Sequence, residues 1–410
     1  MKCRFCGHEI SEIVIDLVNA PPSNAYLREE QLIEPEVYYP LKLMVCNNCW
    51  LVQVDEYASS KEIFDDDYLY FSSYSSSWVE HAREYVEMII DRLSLSSESK
   101  VMEVASNDGY LLQFFVKAKI PCIGIEPSIS TISAAAEKGV ESIPEFFGTA
   151  LAKRIVAERG PQDLIIGNNV LAHVPDINDF VEGLKICLCP DGTITLEFPH
   201  LLNILRYNQF DTIYHEHYSY FSLGTVQEIF SAHGLKIYDV EKLSTHGGSL
   251  RIYACHDYNS SKVISQNLGK ILSEEDDYGL KSKEVYSSFC RNVEKIREDF
   301  LLFLLNARKE GKTVVGYGAA AKGNTLLNYC GIKGNLMIRG VADASPHKQG
   351  RYLPGSHIPV ISPALIKTIK PDYLVILPWN LKDEIISQNE FIREWGGKFV
   401  TVIPVLEIIN

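Results

Sequence analysis

Residues 100–110, KVMEVASNDGY, join an apolar run to a cluster of small and polar residues. Val101–Val104 has the character of a buried strand, and Ala105, Ser106, Asn107 and Gly109 are residue types of a tight strand-to-helix turn. Small side chains there let a ligand approach the backbone and the N-terminus of the next helix. The turn lacks the G-x-G-x-x-G spacing, which weakens a dinucleotide reading. Further strand-like runs follow at Cys122–Glu126, Leu164–Gly167 and Thr193–Phe198, with helical stretches such as Asn178–Leu188 between them. This alternation predicts a parallel sheet covered on both faces. Leu235–Leu243 and Ser249–His256 are expected to pair as a hairpin through Thr245-His246-Gly247-Gly248.

On the C-terminal side, the tract Val263–Lys309 predicts two helices leading to a second alternating region. Its strand-like runs are Thr313–Tyr317, Met337–Ala342, Ile358–Ile361, Tyr373–Pro378 and Lys398–Val402. On the N-terminal side, residues 1 to about 60 form a small β-rich unit, with runs at Ile13–Ile15, Tyr38-Tyr39 and Leu41–Val45. The segment Asp65–Trp78 holds Tyr68, Tyr70, Phe71 and Tyr74, too aromatic for a purely flexible linker. It enters a helix whose apolar positions are Tyr85, Met88, Ile89 and Leu93. No fixed-period repeat is present.

The 410 residues carry 39 Lys plus Arg against 53 Asp plus Glu, a formal charge of −14. Such a chain repels phosphate backbones, which argues against nucleic-acid binding. No run reaches the roughly 18–20 apolar residues that would span a bilayer, and no apolar signal core follows Met1-Lys2-Cys3-Arg4. The expectation is a cytoplasmic protein, and a monomer. Of ten cysteines, Cys122, Cys187, Cys189, Cys255, Cys290 and Cys330 lie in apolar runs, as small core residues do. Cys3-x-x-Cys6 and Cys46-x-x-Cys49 stand apart as two knuckles that can offer four thiolates to one Zn²⁺. Four Cys leave no open coordination position, so the zinc is read as structural and His8 is not needed as a ligand.

Glu103 ends the first strand of the central region and Glu126 the second. An acid after the second strand is placed to accept both ribose hydroxyls of an adenosine. Two acids around one crevice suit the cationic S-adenosylmethionine and repel a pyrophosphate. Asn168 and Asn169 end a neighbouring strand and lie over the same crevice.

A second glycine-rich loop, Gly316-Tyr317-Gly318-Ala319-Ala320-Ala321-Lys322-Gly323-Asn324, fits a relaxed G-x-G-x-x-A turn. Such a turn holds a pyrophosphate on a helix N-terminus, with Lys322 as charge partner. It serves NAD(P) or the diphosphate of a substrate. The first acid downstream, Asp343, is not cleanly placed after the next strand for a dinucleotide.

His173, His200, His215 and His217 cluster in the sequence around YHEHYSY, residues 214–220. If extended, this run puts His215 and His217 on one face and Tyr214, Glu216 and Tyr218 on the other. Methyl transfer to carbon requires a base to remove a proton α to a carbonyl and a donor to stabilise the enolate. His and Tyr supply both roles. His-x-His as a metal pair lacks a third ligand.

Together these motifs closely resemble the sugar C-methyltransferases that act at C-3 of nucleotide-linked 4-keto-6-deoxyhexoses. The likeness runs through the knuckles, EVASNDGY, GNNVLAHVPDINDFV, EFPHLLNIL, QFDTIYHEHYSYFS, THGGSLRIYA, GYGAAAKGNTLLNYCGI and LPWNLKDEI. It implies an α/β protein of three parts. These are a zinc-binding domain at residues 1–65, a class I (Rossmann-like) S-adenosylmethionine domain at 66–260, and a helical connection with a Rossmann-like nucleotide-sugar domain at 261–410. By the same resemblance His217 matches the base, with Glu216 and Tyr214 in its motif. His173 and Asn169 match positions near the sugar, and Tyr68 one from the aromatic segment. Cofactor contacts are expected from Glu103, Ala105, Ser106, Asn107, Gly109, Glu126, Asn168 and Asn169. Nucleotide-sugar contacts are expected from Tyr317, Gly318, Ala319, Lys322 and Asn324. Ala105 stands where many methyltransferases carry Gly. His200 and His215 have weaker claims.

The alternative is an NAD(P)-dependent oxidoreductase acting on a nucleotide sugar through the Gly316 loop, which leaves Glu103, Glu126 and the Tyr214–Tyr220 cluster idle. A zinc-knuckle binding module for nucleic acid or protein conflicts with the charge and the two α/β regions.

Overall fold

The computed structural model describes residues 1–57 and 71–410, so Tyr68 and Tyr70 lie outside the described residues. The central sheet has seven strands: β4 (Val101–Val104), β5 (Cys122–Ile125), β6 (Ser142–Ile143), β7 (Gln162–Asn168), β8 (Leu188–Pro199), β10 (Leu235–Leu243) and β11 (Ser249–His256). Their order is β10-β11-β8-β7-β4-β5-β6. β4, β5, β6, β7 and β8 are parallel, and the β10–β11 hairpin closes the sheet antiparallel to β8. The chain runs from β4 one way to β5 and β6, then returns to the other side of β4 as β7. That reversal opens a crevice at the carboxyl ends of β4 and β7. Apolar residues cover both faces: Phe180, Val181 and Leu184 on one, Tyr85, Val86 and Ile89 of the helix Ser76–Leu93 on the other.

A second doubly wound sheet follows the helices Gln266–Tyr278 and Lys283–Lys309. It comprises β12 (Val314–Tyr317), β13 (Val341–Ala342), β14 (Val360–Ile361), β15 (Tyr373–Ile376), β16 (Lys398–Thr401) and β17 (Glu407–Ile409), in the order β14-β13-β12-β15-β16-β17. β13 is shorter than the expected Met337–Ala342 run. The switch point lies between β12 and β15, so Gly318–Lys322 and Pro378–Asn380 flank the second crevice.

The N-terminal sheet is where the sequence reading falls short. β1 (Glu12–Ala20), β2 (Tyr39–Val45) and β3 (Val52–Val54) are joined by a fourth strand, β9 (Ser219–Tyr220), from the chain after the YHEHYSY run. A unit of this size builds little core by itself. It completes one by pairing with β9 and by sharing a core with the long helix, whose Tyr286, Phe289, Val293, Ile296, Phe300 and Leu304 are buried at helical spacing. Each such aromatic or aliphatic side chain contributes roughly 1.5–3 kcal/mol.

Candidate active site

Cys3, Cys6, Cys46 and Cys49 come together, their sulfurs all within 4.8 Å of one another. The Cys3–Cys49 and Cys6–Cys46 sulfurs are 3.5 and 3.6 Å apart. Tetrahedral ligation at ~2.3 Å separates sulfurs by about 3.8 Å, so the four thiolates fit one Zn²⁺ with no open position. The knuckles form the structural zinc site of the N-terminal sheet.

The first crevice is lined by the turn after β4. Ala105 (φ 59°), Asn107 (φ 49°) and Gly109 (φ 72°) all take the left-handed region, which turns successive main-chain groups inward. For Ala and Asn this costs on the order of 1 kcal/mol each, strain of the kind held at functional sites. Glu126 holds the turn, its Oε2 accepting the Asn107 amide at 3.0 Å and its Oε1 the Ser128 amide at 2.9 Å. A carboxylate oxygen accepts more than one hydrogen bond, so Glu126 retains acceptor capacity toward the crevice. Glu103 beneath is fully buried. Burial pushes its carboxyl well above the usual range, Glu126 and Asp108 add to this, and Tyr110 partly offsets it. The Ser106 hydroxyl, the Asn168 amide nitrogen and the Asn169 carbonyl oxygen are buried without a partner among the described residues. An acid with no cation beside it among the described residues, next to donors and acceptors unpaired there, fits S-adenosylmethionine.

One wall was missed in the sequence. Trp78 stacks on His81 and Tyr110 and meets the edge of His246 at 5.1 Å. His246, at φ 53°, bonds the amide of Asn169 at 3.1 Å. Below them Glu197, at the end of β8, bonds His81 (2.9 Å), Thr245 (2.7 Å) and Arg251 (3.1 Å). Burial opposes its charge, yet these partners hold its pKa below the ordinary value.

The histidine cluster is a turn, which corrects the extended alternative. The His217 amide donates to the Tyr214 carbonyl at 3.0 Å, so the first and last residues of this four-residue turn, three positions apart, share a side. Tyr214 and His217 are therefore neighbours, and the Tyr214 hydroxyl lies 2.9 Å from His217 Nε2. His217 Nδ1 lies 3.0 Å from the Thr212 carbonyl oxygen. A carbonyl only accepts, so Nδ1 carries the hydrogen and Nε2 keeps the lone pair. The His173 ring meets His217 edge-on at 4.6 Å. Burial lowers the pKa of His217 well below the ordinary value, and His173 adds to the shift. Burial also lowers His173, to about 4, and raises Glu216 to about 7. Glu216 accepts from Asn24 at 3.2 Å. His200 instead bonds Glu275 at 2.7 Å, and His215 bonds the Pro40 carbonyl at 3.2 Å.

In the second crevice Gly318 sits at φ 89°, and a Cβ there would overlap the Pro378 ring. A glycine at this position permits that close internal packing. Asp343 directly follows β13 and accepts the Ala319 amide at 2.8 Å. This is a correction, because the short β13 places the acid cleanly. The Tyr317 hydroxyl points to Gln388, and Asn324 is buried with its amide on the Ser23 carbonyl. Lys322 is the loop residue turned to the histidines. Its ammonium lies 4.7 Å from the Trp379 ring centre and 3.3 Å from Asn380 Oδ1, and its charge is felt at His217 and His246. Trp379 donates to Asp211 at 2.8 Å and packs on Gly247, where a Cβ would collide with the indole. The two crevices thus converge on one histidine cluster.

A doubly wound sheet edged by a hairpin, with an acid-lined, strained first turn, defines an S-adenosylmethionine-dependent methyltransferase. Residues 3–64 match a zinc-binding domain family, 78–240 a methyltransferase domain family, and 244–404 the C-methyltransferase C-terminal domain family. The C-methyltransferase NovU of Streptomyces niveus is 34% identical over 409 residues, covering 100% of this chain and 97% of its own. The chain belongs to this family of S-adenosylmethionine-dependent C-methyltransferases, with a zinc-binding N-terminal domain. Among solved structures, an S-adenosylmethionine-dependent methyltransferase from Anabaena variabilis aligns at TM-score 0.35 and 17% identity, covering 42% of this chain and 83% of its own. The magnesium protoporphyrin IX methyltransferase of Synechocystis aligns at TM-score 0.33 and 17% identity, covering 48% and 88%. Among the described residues no helix is long and apolar enough to cross a membrane.

Proposed function

We propose that this C-methyltransferase methylates C-3 of a nucleotide-linked 4-keto-6-deoxy sugar in deoxysugar biosynthesis, with His217 as the base. The observation that carries this reading is the His217 imidazole, held neutral with its Nε2 lone pair directed away from the main chain. A neutral buried imidazole takes a proton from carbon α to the 4-keto group, and the electron pair moves to the C-4 oxygen as an enolate. Tyr214, already within hydrogen-bond reach of Nε2, is placed to donate to that oxygen, and His173 is a second donor beside it. Bound S-adenosylmethionine supplies an electrophilic methyl group at the crevice lined by Glu103, Glu126, Asn168 and Asn169. The sugar's hydroxyl stays on C-3. Lys322 puts a positive charge near the diphosphate and the developing enolate. Tyr68 belongs to the proposed sugar site by its motif. We read the protein as a cytoplasmic monomer.

The test is incubation with S-adenosylmethionine and a panel of dTDP-, GDP- and CDP-linked 4-keto-6-deoxy sugars, read by mass. Gain of one methylene by a panel member, with its C-3 hydrogen lost, supports the reading. Methylation on oxygen, or of none of these sugars, overturns it.

A further inference from the structure

The geometry points to Arg4, between the first two zinc ligands, as a positioning residue that sets the approach of His173 to His217. The inference rests on the proposed role of that histidine pair. The Arg4 side chain is 9% exposed. Its Nη2 donates to the Val54 carbonyl at 2.8 Å and its Nη1 to the Pro175 carbonyl at 3.4 Å. The guanidinium carbon stands 4.9 Å from the centre of the Tyr218 ring. Pro175 lies just past His173, and Tyr218 directly follows His217. Val54 is tied to the same place, its amide donating to the Tyr218 carbonyl at 3.0 Å. The Tyr218 amide in turn donates to the carbonyl of Ala172, next to His173, at 2.7 Å. One guanidinium therefore touches both segments that carry the histidines.

The root of Arg4 is fixed by the metal site. Its neighbours Cys3 and Cys6 belong to the four-cysteine cluster that fits zinc, its amide donates to Gln53 Oε1 at 3.0 Å, and Gln53 Nε2 donates to the Cys3 sulfur at 3.3 Å. Its carbonyl accepts from Asn178 at 3.2 Å, on the helix after His173. A surface ion pair does not account for the arrangement. The Glu56 partner stands 3.5 Å away and is 40% exposed, and exposed pairs contribute about 0–1 kcal/mol, less than burial of a cation costs. The planar fork reaching two carbonyls is what Lys cannot reproduce. The zinc domain thus has a task beyond its own stability: it holds the histidine pair at working distance.

The full-length Arg4→Gln and Arg4→Lys enzymes test this by zinc content, affinity for S-adenosylhomocysteine, imidazole NMR signals of His173 and His217, and turnover of the sugar that the panel identifies. The expected result is one zinc per chain, unchanged cofactor-product affinity and displaced imidazole signals. kcat should fall about tenfold to a hundredfold, the scale of an ångström-sized misplacement, with KM little changed and Arg4→Lys intermediate. Unshifted imidazole signals with parental kcat overturn the proposal. So does a loss that tracks missing zinc and is no smaller in Arg4→Lys. Should Arg4→Gln fail to fold, Arg4→Lys alone decides on the same criteria. His217→Asn run in parallel separates the two readings: parental turnover there removes the base assignment, whereas impaired turnover there with an unaffected Arg4→Gln removes only the role of Arg4.

Discussion

Tyr214 and His217 face each other across 2.9 Å, hydroxyl to Nε2, inside a turn whose closing bond joins the same two residues. The ring nitrogen proposed as the base is thereby held by a donor in this structure. His217→Asn is expected to lower kcat by about 10²–10⁴-fold, the usual contribution of a general base, with both ligands still bound. Exchange of the substrate's C-3 hydrogen with D₂O, followed by NMR without methyl transfer, should vanish. Parental kcat in this variant would leave His173 or a tyrosine as base.

Tyr214→Phe removes a hydrogen bond that favours the neutral imidazole, so the pKa of His217 rises. Activity requires the neutral form, and the acid limb of kcat/KM should move to higher pH. A pH–rate profile of variant and parent checks this, and an unmoved limb would break the link between the two residues.

Stability should fall on the acid side. His173 and His246 are lowered to about 4 by burial, and burial also holds His217 well below its ordinary value. In the unfolded chain they titrate near ~6.5. Between those values the unfolded state binds more protons, so stability present above about pH 6.5 is lost as the pH falls toward 4. Glu216, raised to about 7, acts oppositely: its contribution is full below its unfolded value and lost as the pH rises through 7. Thermal melts from pH 4 to 8 should show a smaller acid-side decline for His173→Asn than for the parent.

Glu126→Ala should weaken S-adenosylhomocysteine binding by about 10–100-fold, since it removes the acceptor proposed for the ribose hydroxyls and frees the Asn107 and Ser128 amides. Calorimetry with the cofactor product and with the nucleotide sugar should show a selective effect. Equal losses for both ligands would speak against the assignment.

Cys46→Ser should lower zinc content and Tm together, because the knuckle leads into β3 and β3 pairs with β9. Metal analysis and melting curves check it. A variant without zinc that melts like the parent would show the N-terminal sheet to be independent of the metal.

Local patterns carried much of the result. The spacing of Cys3, Cys6, Cys46 and Cys49 was enough for the metal, because two knuckles need only short-range turns to present four sulfurs. The hairpin Leu235–Leu243 with Ser249–His256 was legible to the residue, since alternation and a Thr-His-Gly-Gly turn act within a few positions. The acids Glu103 and Glu126 were legible as strand ends. Distant pairing decided the rest. Nothing near Ser219 announces that it joins a sheet begun at Glu12, nor does the loop at Gly318 announce that Pro378 fills its open side. The short strand before Asp343, the bond from Trp379 to Asp211 and the strained His246 beside Asn169 all depend on segments brought together by the two sheets. Even the face shared by Tyr214 and His217 turned on one backbone hydrogen bond, since a turn pairs residues that an extended strand would point apart.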